Sequence, residues 1–319
     1  MKDIIRKLVS IVVIAYNSEK TIIETLESAK RQTYRPLELV VSDDCSTDRT
    51  QEVVRDWIAK NGDLFDNVVF QKAKQNVGIV RNVDSAVRRC SGEWVKPIAA
   101  DDMLMDDCIE KYMDLADREH CDFCFGSELL IDDDSVVFGK TYAQNYRMKK
   151  LVGLKPMKQY EKMAFDCITL APSFFYRKEV FLAVGGYDKR FKINEDDTFL
   201  LNLLKHGYIM GFCGDDVIKY RIHSSVSRDR DKIFVPIQEK ERFAIKKAYC
   251  YPYMSPYRLD FWLSELNDWL EVVIFMHIFR NRPSAATRIL KPLFSIFNPR
   301  KWYLLIVGIK ARRGYFIKT

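Results

Sequence analysis

Val9 to Ala15 is apolar but for Ser10 and rich in β-branched residues, the pattern of a strand buried on both faces rather than one alternating between core and water. Ile22, Leu26 and Ala29 follow at helical spacing, with Ser18 placed to cap that helix. The pairing then repeats. Leu37 to Ser42 reads as a second buried strand, and Ser46-Thr47-Asp48 opens a helix that sets Val53, Val54, Trp57 and Ile58 on one face. Val68 to Gln71 reads as a third strand, Ile79 to Arg89 as a helix with Val80, Val83 and Val87 inward, and Glu93 to Ala99 as a fourth strand. Strands alternating with helices predict an α/β fold, a three-layer sandwich with a mostly parallel central sheet and helices on both faces.

Past residue 103 the alternation weakens. A helix from Asp106 to Arg118 precedes a strand from Asp122 to Ser127. Asp132-Asp133-Asp134 then reads as a solvated hairpin turn rather than a cation site, because no buried strand delivers it. Residues 140–165 are basic and aromatic with weak periodicity, the pattern of a mobile loop over a site. Phe174-Phe175-Tyr176 restores a strand, Lys178 to Val184 a helix and Gly185-Gly186-Tyr187-Asp188 a turn. Glu195-Asp196 heads a helix carrying Phe199, Leu200, Leu203 and Leu204.

The composition excludes a disordered chain, since 319 residues with 48% hydrophobic and 13% aromatic content can bury a full core. Eight cysteines without framework spacing point to a reducing compartment. Cys121 and Cys124 lack the second ligand pair of a zinc site and read as buried strand cysteines. The basic, apolar N-terminus has no small-x-small cleavage site and reads as a first strand rather than a signal peptide. The longest uncharged apolar runs, Val272 to Phe279 and Trp302 to Ile309, fall short of the roughly 18 residues of a membrane span.

The net charge of +7 is unevenly placed, for Val272 to Thr319 holds ten Lys or Arg and no Asp or Glu, so the rest of the chain is net acidic. Phe275, Phe279, Phe294, Phe297, Trp302, Tyr303, Tyr315 and Phe316 interleave with those cations. Basic charge with aromatics suits an anionic bilayer surface or an RNA groove. The amphipathic pattern favours the bilayer, and no nucleic-acid motif supports the other choice.

Acidic pairs mark the ends of the second and fourth strands, Asp43-Asp44 and Asp101-Asp102. In open parallel sheets ligands bind beyond the carboxyl ends of the strands, so these four residues converge on one crevice. A single Asp after a strand is as readily a turn former or helix cap; two pairs at equivalent strand ends are not explained that way.

The residues that complete the picture are Val9-Ser10-Ile11-Val12-Val13-Ile14-Ala15-Tyr16-Asn17, Gln32-Thr33-Tyr34 and Glu38 to Asp48. With them go Asn76-Val77-Gly78, Arg81-Asn82, Asp101-Asp102, Gly185-Gly186-Tyr187-Asp188 and Glu195-Asp196. In order and spacing, over about residues 8–230, these motifs resemble the family 2 glycosyltransferases of the GT-A fold. The resemblance implies an inverting transferase that moves a sugar from a nucleoside diphosphate donor, usually uridine-linked, to an acceptor hydroxyl. It also implies Mn²⁺ or Mg²⁺ at the diphosphate, with Asp102 as metal ligand and Asp101 on the donor ribose or sharing the metal. Asp43, with Asp44 beside it, would meet the uracil, Ala15, Tyr16 and Asn17 would line base and ribose, and Arg81 would lie against the nucleotide unless it is a surface helix arginine. Asp196 would be the single base that inversion requires, with Glu195 binding the acceptor or positioning Asp196. Many family members carry an Asp two positions before the Asp-Asp pair, where this chain has Ala99. His223, within Tyr220 to Ser227, matches the segment that closes over the diphosphate and is either a metal or phosphate contact or a structural histidine.

The chain is therefore expected to hold a GT-A domain at 1–235 and a helical, basic, membrane-associating extension at 236–319, at the cytoplasmic face of a membrane. Its expected reaction is transfer to a lipid-linked saccharide in cell-surface polysaccharide biosynthesis. The alternatives are a polyprenyl-phosphate glycosyltransferase of the same fold and a non-catalytic nucleotide-sugar-binding protein. A nucleotidyltransferase is disfavoured, as no Gly-rich phosphate loop follows the first strand.

Overall fold

The computed structural model describes residues 6–166, 171–192, 194–223 and 232–316. The first half is the expected alternation: β1 (Val9–Ala15), α1 (Ile22–Lys30), β2 (Leu37–Asp43), α2 (Thr50–Asn61), β3 (Asn67–Lys72), α3 (Ile79–Arg89) and β4 (Trp94–Ala99). There follow β5 (Met103–Leu104), α4 (Cys108–Glu119), β6 (Phe123–Ile131), β7 (Val137–Lys140), α5 (Tyr142–Lys149) and α6 (Pro156–Asp166). Next come β8 (Phe175–Arg177), α7 (Lys178–Ala183), α8 (Glu195–Lys205) and β9 (Met210–Arg221). The chain closes with α9 (Pro236–Ile245), α10 (Leu259–Val273), α11 (Ala285–Ile296) and α12 (Pro299–Phe316).

One nine-stranded sheet runs β3-β2-β1-β4-β8-β6-β9-β5, with β7 paired to β6. β1 is parallel to both β2 and β4, and β6 is parallel to β9. The consecutive apolar residues of β1 from Ile11 to Ala15 have their cause here. Val9, Ile11, Val13 and Ala15 join the hydrophobic cluster on one face of the sheet, while Val12 joins the cluster on the other. Cys121 and Cys124 are buried free thiols.

Three expectations are corrected. Ser18 does not cap α1 through its side chain: its carbonyl accepts from Thr21 N (3.1 Å) and Ile22 N (3.0 Å), its hydroxyl turns to Tyr16 O, and Thr21 stands at the N-cap. Residues 140–165 are not a mobile loop, because α5 and α6 place Met148, Leu151, Tyr160, Met163 and Phe165 in the core with Cys250, Met254 and Phe261. Their apolar partners lie a hundred residues downstream, so the local pattern alone looked weak. The Asp132-Asp133-Asp134 turn is delivered by a buried strand after all. β6 runs to Ile131 because β9, unrecognised in the sequence, pairs with it along its length. Register shifts between Gly126 and Glu128 break the alternation that would have marked the pair.

Gly185 and Gly186 form the turn after α7 with φ of 87° and 84°. The turn carries Tyr187 N to Asp84 Oδ1 (3.2 Å), which fixes the approach to α8. A Cβ on Gly186 would lie 2.4 Å from Asp84 Oδ1 and 2.9 Å from Phe181 Cζ. With the left-handed backbone added, Gly186→Ala is expected to lose about 2–4 kcal/mol of stability in urea unfolding. An unchanged midpoint would contradict this packing.

Candidate active site

The carboxyl ends of β1, β2 and β4 open into two adjoining cavities. The first, of about 270 Å³, is lined by Ala15, Tyr16, Ser18, Asp44, Asn76, Gly78 and Asp101. Its wall is set by short bonds between loops. Asp44 accepts from Val77 N and Gly78 N, both at 2.8 Å, and so fastens the Asn76-Val77-Gly78 loop to the end of β2. Asn17, at a left-handed φ of 50°, accepts from Thr47 N (2.8 Å) and donates its own N–H to Ser46 Oγ (2.9 Å). Asp43 is fully buried, and its carboxylate accepts from Ser46 and from Gln51 Nε2 (2.7 Å). Of the first acidic pair, then, Asp44 lines the cavity and Asp43 braces the turn beside it. Arg81 is exposed and lines a neighbouring basic groove with Lys72, Lys74 and Arg89, joined to the cavity through Asn82.

The second cavity, of about 330 Å³, shares Ile14, Ile79, Ala99 and Asp101 with the first and adds Asp102, Tyr187, Glu195, Asp196, Tyr220 and His223. Asp101, Asp102, Glu195, Asp196 and His223, distant in sequence, thus face one space. Arg221 organises its floor. The side chain is 1% exposed; its Nε donates to Asp101 O (2.8 Å), its Nη1 to the carbonyls of Asp132 (2.8 Å) and Asp133 (3.1 Å), and its Nη2 pairs with Glu24. The backbone N–H of the same residue reaches Asp102 Oδ1 at 2.8 Å. His223 then bridges the two acidic turns, with Nε2 2.7 Å from Asp101 Oδ2 and Nδ1 3.0 Å from Asp133 Oδ1. The serine-rich segment expected to close over the site, Ser224 to Ser227, lies outside the described residues.

So many carboxylates in one cleft repel one another. Burial and the charge of Asp101 hold the Asp102 carboxyl well above the usual range. Glu195 is pushed up to about 7 by burial and by Asp196. Contact with Asp101, and then with Asp133, raises the His223 imidazole and favours its cationic form. Beneath the cavity wall lie two more buried groups. Lys96 is lowered to about 8 by burial and donates to Pro172 O (2.6 Å), and Glu128 is raised to about 7 by burial.

Among the described residues no three His, Cys, Asp or Glu side chains converge as a ready metal cage. Mg²⁺ or Mn²⁺ bound with a diphosphate needs only one or two carboxylates, the remaining ligands being phosphate oxygens and water. The Asp101-Asp102 pair fits that requirement. Asp102 is buried, held by one backbone N–H, and destabilised as an anion by its neighbour's charge, which a bound cation would relieve.

Sequence reasoning missed Arg221, Glu24 and Asp133. Arg221 and Glu24 meet across 197 residues, and no local spacing marks such a pair. The triplet Asp132-Asp133-Asp134 was visible, but its place beside His223 depended on the unrecognised pairing of β6 with β9.

A mixed sheet whose β3-β2-β1-β4 half is parallel, with a split acidic cleft at its carboxyl edge, is the architecture of the GT-A class of nucleotide-sugar transferases. The profile of glycosyl transferase family 2 matches residues 10–184, and the chain belongs to that family. It is 27% identical over 227 residues to the UDP-Glc:alpha-D-GlcNAc-diphosphoundecaprenol beta-1,3-glucosyltransferase WfgD of Escherichia coli, covering 70% of this chain and 81% of that one. Among solved structures, Staphylococcus aureus TarS 1–349 in complex with UDP-GlcNAc superposes with a TM-score of 0.59 at 18% identity, over 97% of this chain and 90% of that one. Against the longer TarS chain the match spans 54% of its length. The Pyrobaculum calidifontis mannosyltransferase PcManGT, in complex with GDP-Man and Mn²⁺, gives a TM-score of 0.53 at 18% identity, over 96% and 87% of the two chains.

The raised carboxyl of Glu195 gives a prediction with a defined sign. A buried acid whose folded pKa is raised costs nothing below its unfolded value near 4.5, and costs progressively more up to about 7. Glu195→Gln should therefore melt above the wild type at pH 8, with the difference vanishing near pH 4.5. A variant less stable at pH 8 would show that ionised Glu195 has a stabilising partner.

Proposed function

We propose that this chain transfers a sugar, with inversion, from a UDP-linked donor to a hydroxyl of a lipid-linked saccharide, in the assembly of a cell-surface polysaccharide. The observation that carries this reading is the pair of adjoining cavities. One is lined largely by backbone and uncharged groups around Tyr16 and Asp44, and the other holds four carboxylates, with Asp101 shared between them. The first suits a nucleoside, the second a sugar between leaving group and acceptor. A GlcNAc-diphosphoundecaprenol acceptor in the name of the E. coli relative, and a UDP-sugar in the TarS complex, support the substrate classes.

In this reading Ala15, Tyr16 and Asn17 frame the base and ribose, Asp44 with its loop closes that side, and Arg81 reaches the nucleotide from the adjoining groove. Asp101 and Asp102 would hold Mn²⁺ or Mg²⁺, joined by His223 only once its imidazole has given up the proton that its two aspartate partners favour; when bound, the ion neutralises charge developing on the diphosphate. Asp196 takes the proton of the acceptor hydroxyl as its oxygen attacks the anomeric carbon. The bond to the diphosphate breaks on the opposite face, and UDP leaves. Glu195, whose carboxyl is raised to about 7 by burial and by Asp196, can hydrogen-bond the acceptor hydroxyl beside Asp196. The reaction would take place at the cytoplasmic face of a membrane, with the extension at 236–319 beside the lipid.

Replacing the base separates chemistry from binding. Asp196→Asn is expected to lower transfer to a saccharide hydroxyl by about 10²–10⁴ while UDP still protects against thermal unfolding. Near-normal turnover would instead indicate a polyprenyl phosphate acceptor, whose phosphate needs no base. Transfer should also disappear with EDTA and return with Mn²⁺; full activity in EDTA would remove the cation from the mechanism.

A further inference from the structure

The C-terminal helices are built inside out. α10 turns Phe261, Ser264, Glu265, Asp268 and Glu271 inward, while Leu259, Leu263, Leu266, Trp269 and Leu270 are 38–68% exposed on its other face. A helix of a water-soluble domain has the opposite arrangement. The inward acids meet cations: Glu265 pairs with Lys246 (2.7 Å) and Arg300, Asp268 with Arg300 (2.8 Å), and Glu271 with Lys301 (2.8 Å). α11 and α12 continue the inversion. Thr287 and Arg300 are buried, whereas Ile289, Leu293 and Ile296 of α11, and Trp302, Leu305 and Ile309 of α12, are exposed. Ion pairs run through the interior beside Phe261, Phe275 and Val307, while leucine, isoleucine and tryptophan cover the outside. Water does not stabilise such a surface.

We propose that the outer face of α10, α11 and α12 docks into the interface of an anionic lipid bilayer, lying in its plane. Docking of this kind rests on the lipid-linked acceptor proposed above. Among the described residues no helix is long and apolar enough to cross a membrane, which leaves the in-plane arrangement. Charge selects the occupant. Arg280, Arg282, Arg288, Lys291 and Lys310 are exposed among these apolar positions, and no acidic residue follows Glu271. A two-fold contact with a second copy sets the same patch against itself and so opposes these cations to one another. Phosphate headgroups of an anionic leaflet neutralise them. The sequence had pointed to an extension at 236–319, with its basic and aromatic character confined to residues 272–319. α10, an acidic helix by composition, belongs to the same face because Glu265, Asp268 and Glu271 are turned inward and the exposed Asp260 at its start is paired with Arg258 (2.8 Å).

The full chain tests this by flotation with vesicles of phosphatidylglycerol and phosphatidylcholine, against phosphatidylcholine alone. The anionic vesicles should carry at least about tenfold more protein. Leu263→Ser/Leu266→Ser/Ile289→Ser should lose that binding at least about tenfold, with unchanged melting temperature and unchanged transfer to a short-chain, water-soluble acceptor. Should the triple variant fail to fold, Arg288→Glu/Lys291→Glu should weaken binding to the anionic vesicles selectively. Wild-type protein that stays off the vesicles, binding indifferent to either variant, or a stable dimer that buries this face would overturn the proposal. Vesicle binding without any sugar transfer would leave the docking face standing and refute the transferase reading alone.

Discussion

Arg221 holds together the part of the molecule on which everything else depends. An acidic cleft is electrostatically unfavourable before its ligands arrive, and a single buried guanidinium offsets that cost. It meets the carbonyls of Asp101, Asp132 and Asp133 and the carboxylate of Glu24, while its own N–H holds Asp102. Because these groups belong to α1, to the turn after β4, to the β6–β7 hairpin and to the end of β9, the geometry of the Asp101-Asp102 turn is set by tertiary structure. A charged group with nearly every donor satisfied by protein is costly to displace. The turn is therefore preorganised by the fold rather than shaped by a ligand.

The two acidic pairs that share the larger cavity are tuned differently. Asp102 is deep, with its anion disfavoured by burial and by Asp101, so it gains most from a cation. Glu195 and Asp196 stand at the start of α8, where the helix N-terminus favours negative charge, and burial nevertheless lifts Glu195 to about 7. A carboxyl raised by burial beside a second acid suits, in the proposed reading, a place that receives a neutral hydroxyl and removes its proton. In that reading, environment rather than residue type separates a donor side from an acceptor side.

The first four strands and three helices were legible in the sequence because their stabilising contacts are periodic and local to each element. β1 and β2 announce two-sided burial by their runs of consecutive apolar residues, Ile11 to Ala15 and Leu39 to Val41, where an alternating strand would place polar ones. What was not legible came from contacts between distant segments. β9 is interrupted by Gly214-Asp215-Asp216 and reads as a loop until β6 is beside it. α5 and α6 look polar until Phe261 and Met254 supply the other half of their core. In the candidate site the carboxylates were visible as pairs at strand ends and a helix start, whereas Arg221, Glu24 and Asp133 were not, since each acquires its place only from the closed sheet. The tail was legible as basic and aromatic, but its inversion was not: the inward direction of Glu265 and Asp268 depends on Lys246 and Arg300 meeting them.

The division of labour between the acidic pairs is the central claim, and calorimetric titration of UDP in the presence of Mn²⁺ tests it most directly. Asp102→Asn should abolish the Mn²⁺-dependent component of UDP binding, while Asp196→Asn should bind UDP as the wild type does. Loss of UDP binding in Asp196→Asn with retention in Asp102→Asn would contradict the account.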